Sequence, residues 1–196
     1  MNTRNLTLII IVAFILLFGG CACNGYNNMV KLDENTKGKW GNVQSEYQRR
    51  SDLIPNLVNT VKGAANFEQQ TITNVIEARA KATQVKIDAN NLSPEKIAQF
   101  QQAQNQVSSS LSRLLAVVEN YPDLKATQNF RDLQAQLEGT ENRIKVSRND
   151  FNEAVQEYNS TIRRFPNAIF SGMFGFHTKG YFQSEPGSEK APDVKF

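Results

Sequence analysis

Apolar residues are arranged along this chain in two patterns. The first is a continuous run at residues 6–18 (LTLIIIVAFILLF), with Arg4 before it and Gly19-Gly20-Cys21-Ala22-Cys23 after it. It is apolar on every helical face and lacks the one-sided stripe of a core helix. The second pattern begins beyond Gly25 and is a three–four alternation, which marks coiled-coil-like helices packed in a bundle. One stripe reads Trp40, Val43, Tyr47, Ile54, Leu57, Val61, Ala64; a second, over about 67–89, reads Ile72, Val75, Ala82, Val85. A third reads Ile97, Phe100, Val107, Leu111, Leu114, Val118, Tyr121. The longest runs Phe130, Leu133, Leu137, Ile144, Phe151, Val155, Tyr158, Ile162, Phe165. No alternation sustains a sheet.

Punctuation between the stripes supports this division. Ser93 is placed to cap a helix that starts with Pro94. Pro122 and Pro166 close the third and fourth stripes. Pro55 lies inside the first, where a missing N–H and a ring clash predict a kink or short break near 51–54. Gly139 loosens the fourth locally. The fold predicted is all-α: a membrane anchor at 1–25, then an antiparallel up-and-down four-helix bundle at 26–166. Connections near Asn66, at 90–93 and at Pro122-Asp123 are short enough for antiparallel neighbours. Residues 167–182 form an aromatic segment. Residues 183–196, rich in Pro, Gly, Ser and charge, read as a disordered tail.

Composition narrows the classes. The 196 residues give one domain's worth beyond the anchor. A net charge of +3 makes no electrostatic demand for nucleic acid, and none is expected as a partner. Both cysteines, Cys21 and Cys23, flank the apolar run and cannot staple a domain downstream of them. The N-terminus admits a cleaved signal peptide, a lipoprotein signal cut before Cys21, or an uncleaved anchor. Gly19-Gly20-Cys21 suits lipidation of Cys21, although Phe18 stands where Leu is usual. A spanning helix needs about 20 mainly apolar residues, which the run reaches by extending to Cys23. We adopt the uncleaved single anchor, with Cys21 as the lipidation site in the alternative. Arg4 and the amino terminus favour a cytoplasmic start over Lys31, Lys37 and Lys39. That places the domain on the non-cytoplasmic side of a bacterial cell membrane.

Polar residues interrupt the stripes at Arg50, Arg79, Gln104, Glu141 and Arg148. Each either swings to the edge, its stem covering apolar surface, or joins an internal polar layer in which Glu141 pairs with an arginine from another helix. Three arginines exceed one glutamate, so Glu46, Glu68 or Glu119 would have to join such a layer. Carboxylate-histidine metal motifs of bundles are missing; the single histidine, His177, lies beyond the last stripe. No Ser/His/Asp spacing and no Gly-rich phosphate loop occur. No catalytic, cofactor-binding or metal-ligating residue is therefore assigned, and no cofactor is expected. The aromatic segment either caps the open end of the bundle or presents Phe170, Met173, Phe174 and Phe176, beside Ile169, to a membrane or partner.

Several motifs resemble the bacterial LemA family: Tyr47-Gln-Arg-Arg50, Asp52-Leu-Ile-Pro-Asn-Leu-Val58, Val61-Lys-Gly63 and Glu77-Ala-Arg79. Tyr121-Pro-Asp-Leu-Lys-Ala126, Thr140-Glu141, Phe151-Asn152, Tyr158-Asn159, Phe165-Pro166, Gly175-Phe176 and Tyr181-Phe182 extend the likeness over about 26–182. Phe151 stands where a Tyr is common. The resemblance implies an N-terminal anchor and a four-helix, bundle-like domain, and it brings no reaction and no catalytic residues. Relatives associated with membrane-compartment biogenesis fit a scaffold. The function expected is a non-enzymatic scaffold or adaptor, partnered by the membrane and by proteins that no residue names. The alternative is an enzyme or small-ligand bundle with a polar interior around Arg50, Arg79, Glu141 and Arg148.

Overall fold

The computed structural model describes residues 3–64 and 67–184, with side chains described except at 3, 4 and 6–22. The connection expected near Asn66, the Cys21 side chain and residues 185–196 lie outside the described residues. Regular structure among the described residues is helical throughout: α1 Thr3–Lys62, α2 Gln69–Gln84, α3 Pro94–Val118, α4 Pro122–Lys125, α5 Gln128–Arg163 and α6 Asn167–Phe170. Among those residues no helix is long and apolar enough to cross a membrane.

Helix α1 continues for 60 residues, about 90 Å at 1.5 Å per residue. The break expected near 51–54 does not occur. Pro55 has no N–H to give the Ser51 carbonyl, and an unmet carbonyl in a packed interior is costly. Arg79 of α2 supplies the missing donor, its Nε lying 2.8 Å from the Ser51 oxygen. Gly139 likewise leaves α5 unbroken over 36 residues. Ser93 and Thr127 cap α3 and α5, their hydroxyls accepting from the Lys96 and Phe130 N–H groups.

Helices α1 and α5 run antiparallel. Lys39 meets Asp150 at 2.8 Å, Glu46 meets Arg143 at 2.9 Å, and Arg50 meets Glu141 at 2.7 Å, so the partner number falls as α1 advances. Helix α2 packs on α3 and, through Arg79, on α1. The core falls into three layers. Ile54, Leu57 and Val61 pack with Ile72, Val75, Leu111, Leu114, Phe130 and Leu137 at one end. Trp40, Val43 and Tyr47 pack with Ile97, Phe100, Phe151 and Val155 in the middle. Met29 and Leu32 pack with Tyr158 and Ile162 at the end nearest the apolar run. Helix α2 ends at Gln84, short of the stripe predicted for it. Ile87 and Leu92 still enter the middle layer from the connection, and Gln44 Nε2 holds the Ile87 carbonyl at 3.2 Å.

The aromatic segment divides. Its first part stays at the base, beside residues 25–26 of α1. Its second part, 176–184, has no regular structure and returns along the helices as a strap. Phe176 packs against the basal layer, and Phe182, 5% exposed, is buried in the middle one. An end cap therefore describes only part of this segment. Gln183, expected to open the tail, is pinned to α3 (below). Gly180 permits the path: a Cβ there would lie 2.6 Å from the Pro94 Cα, where the Gly180 N–H donates to the Leu92 carbonyl at 2.9 Å.

Candidate functional site

Arg50 lies on the core stripe of α1, between Tyr47 in the middle layer and Ile54 in the far layer. At 1% exposed, it cannot reach solvent by extending its stem. Its guanidinium is instead shared among internal acceptors. Nη1 donates to Glu141 Oε1 at 2.7 Å and to Ser108 Oγ at 2.8 Å. Nη2 donates to Gln104 Oε1 at 2.6 Å and to the Gln104 carbonyl at 3.2 Å. The Tyr47 ring lies 5.0 Å from its central carbon, a cation–π distance. Glu141 keeps 44% of its side chain exposed, so this ion pair is half in water. Burial pushes the Tyr47 hydroxyl up, against the opposing charges of Arg148 and Arg50.

The five interrupting residues thus do not form one layer. Arg50, Gln104 and Glu141 meet. Arg79 serves the Ser51 carbonyl. Arg148 reaches the strap, donating to the Gln183 carbonyl at 2.9 Å and stacking 4.9 Å over the Phe182 ring, and adjoins the Arg50 cluster through the Tyr47 hydroxyl. Beside Arg50 and Arg79 lies a pocket of about 160 Å³, lined also by Gln44, Tyr47 and Phe100. Small-molecule sites occupy about 300–1,000 Å³.

A second polar arrangement was missed by stripe reading. Three side-chain amides each pair with both backbone groups of one strap residue. Asn159 holds Lys179 with two bonds of 2.9 Å. Asn152 holds Phe182 with two of 2.9 Å. Gln101 holds Gln183 at 2.7 and 3.0 Å. These amides play the role of a neighbouring strand and satisfy backbone that would otherwise be buried unpaired. A signal for them exists in the sequence: both asparagines directly follow core aromatics, in Phe151-Asn152 and Tyr158-Asn159.

The strap also carries a buried cation. Lys179, 7% exposed, meets Asp33 of α1 at 2.7 Å and lies 4.9 Å from the Tyr158 ring. Lys37 reaches the same carboxylate at 2.7 Å. Burial works against the Asp33 charge, but the hydrogen bonds from Lys179 and Lys37 outweigh it and hold the carboxyl below its ordinary value. Burial, reinforced by the Asp33 charge, pushes the Tyr158 hydroxyl up to about 12. A carboxyl depressed in the folded state binds its proton more tightly once unfolded. Its stabilisation is full above about pH 4 and is lost as pH falls through the folded value. Asp33→Asn is expected to flatten the acid limb of a melting-temperature profile below about pH 4. An unchanged limb would remove this pair from the acid response.

At the base, Phe174 meets Tyr26 edge-on at 5.1 Å and Phe170 at 6.4 Å. Met173 is 79% exposed and Phe174 47%, while Phe170 and Phe176 are half-buried. His177 is exposed.

The model of the LemA family matches residues 39–196. Magnetosome protein MamQ 2 of Paramagnetospirillum magneticum is 25% identical over 203 residues, covering 93% of this chain and 73% of its own. Magnetosome protein MamQ of Magnetospirillum gryphiswaldense is 24% identical over 185 residues, covering 84% and 66%. Protein LemA of Metamycoplasma hominis is 24% identical over 161 residues, covering 82% and 70%.

Proposed function

The chain belongs to the LemA family, and from that premise we propose a non-enzymatic scaffold or adaptor of the bacterial envelope. In this reading the apolar run at 6–18 is an uncleaved anchor in the cell membrane. The helices form an up-and-down four-helix bundle on the non-cytoplasmic side and offer surfaces to protein partners. The observation that carries it is the continuity of α1 from Thr3 to Lys62. One helix holds both the apolar run and a full core stripe, so the bundle would be mounted on the bilayer without a flexible joint. Cleavage before Cys21 would cut within that helix, which favours the uncleaved form. Relatives named as magnetosome proteins suit a role in organising a compartment. The enzyme or small-ligand alternative has less support: Arg50 is committed to four internal bonds, and the adjoining pocket of about 160 Å³ falls below the usual ligand range.

The test is fractionation of the producing bacterium. The protein is expected to stay in the membrane pellet through an alkaline carbonate wash, with its N-terminus intact. Cys21→Ser is expected to leave that retention unchanged; release of the variant would establish a lipid anchor instead. Cross-linking in intact cells should recover the same partners repeatedly. Recovery of none would sink the scaffold reading.

A further inference from the structure

Among the described residues, the large apolar side chains left exposed are Tyr26, Ile76, Val146, Phe165, Ile169, Met173, Phe174 and Tyr181. Five of these eight lie at the basal end: Tyr26, Phe165, Ile169, Met173 and Phe174. The antiparallel register that sets Thr36 against Ala154 brings the end of α5 down to the level of Gly25. Helix α6 abuts α1 there, so closely that a Cβ on Gly25 would lie 2.4 Å from Asn167 Oδ1. The most exposed members, Phe165 and Met173 at 79% each, point away from the core rather than close it. Arg163 and Arg164, both exposed, directly precede Phe165, and neither forms an ion pair among the described residues.

We infer that this apolar apron is a second membrane contact, seated in the headgroup layer of an anionic bilayer, with Arg163 and Arg164 meeting lipid phosphates. The inference rests on the anchor reading above and extends it. An anchor spanning residues 6–23 would fill the hydrocarbon core, and Tyr26 would then fall about 4–5 Å beyond it along the helix. That is the depth at which tyrosine collects at membrane interfaces. Aromatic and aliphatic side chains rimmed by arginine are the composition of an interfacial segment. Tyr26 and Phe174 also border a recess of about 600 Å³, but Asp33, Glu34, Lys37 and Lys179 line it; the exposed Phe165, Ile169 and Met173 beside a membrane helix are instead matched by lipid.

The experiment uses the full chain in vesicles of brominated phosphatidylcholine with phosphatidylglycerol. Bromine quenches indole only at short range. Trp40, the single native tryptophan, is 0% exposed in the middle layer and serves as an unquenched reference. Met173→Trp is expected to lose most of its added emission, and Val146→Trp, exposed far up α5, almost none. Arg163→Glu with Arg164→Glu should weaken the quenching of Met173→Trp when phosphatidylglycerol is present and leave it unchanged in neutral vesicles. Alkaline extraction of the same vesicles reports the anchor separately. An alkali-resistant chain whose Trp at 173 stays bright overturns the inference and leaves the anchor standing. A chain removed by alkali but quenched at 173 when neutral overturns the anchor and leaves the apron standing. A chain that is neither retained nor quenched overturns both.

Discussion

Arg50→Leu is expected to lower the stability of the domain by about 2–4 kcal/mol, from the polar acceptors that its buried guanidinium would leave unpaired. The loss comes chiefly from what the guanidinium leaves behind. Gln104, 8% exposed, would lose the donor for its side-chain oxygen, and Ser108 would lose a partner. Each stranded buried acceptor costs about 1–3 kcal/mol. Glu141 contributes less, because its half-exposed carboxylate can turn to water. Glu141→Gln should therefore change stability by no more than about 1 kcal/mol, the range of exposed ion pairs. A second substitution is expected to rescue Arg50→Leu. In Arg50→Leu with Gln104→Leu the main stranded oxygen is gone and the two apolar layers can merge, so most of the loss should return. Urea denaturation followed by helical circular dichroism checks all three variants. A single Arg50→Leu variant within about 0.5 kcal/mol of wild type, the range of ordinary surface changes, would mean that the polar step between the layers holds nothing.

The stripes were legible because burial of a helix face demands apolar residues at three–four spacing, whatever the partner. Trp40, Leu57, Ile97, Leu114, Phe130 and Phe151 are all core residues. Pro55 was legible as a lost hydrogen bond, but the sequence does not say who replaces it. The donor, Arg79, is 28 residues away on another helix. A carbonyl partner leaves no periodic trace, so Arg79 looked like a member of the same layer as Arg50. Arg148 misled in the same way: it sits in phase with Glu141 on α5 but turns to a segment that follows the helix. The strap itself was the least legible element. Its backbone is satisfied by side-chain amides instead of a ladder, and no repeat of two or 3.6 residues is required of such a segment. Asn152, Asn159 and Gln101 lie off the apolar stripes, yet each completes a buried or half-buried backbone pair. The aromatic content of 167–182 was plain; the division between an exposed base and a buried strap depends on tertiary packing alone.

Phe182→Ala tests whether that strap belongs to the core. The Phe182 ring stacks on Trp40 at 6.1 Å and meets Phe151 and Phe100 at 5.6 and 6.3 Å, with the Arg148 guanidinium over its other face. Removing a buried phenylalanine costs about 3–5 kcal/mol when the rest of the structure stays in place. Here the strap can also leave, since it joins the helices through the three amide clamps and the Lys179–Asp33 pair. Local opening then sets a lower ceiling on the cost than a trapped cavity would. Hydrogen exchange separates the two responses. The Phe182 and Gln183 amides, bonded to Asn152 and Gln101, are expected to lose most of their protection in Phe182→Ala, while amides in the middle of α5 keep theirs. Water reaching the vacated face should shift Trp40 emission to the red, because its indole N–H is buried without a hydrogen-bond partner. Asn152→Ala should loosen the same amides to a smaller degree, with Trp40 still covered by the ring. If Phe182→Ala instead leaves the strap amides protected and the emission unmoved, the clamps alone hold the strap, and Phe182 fills space without fastening it.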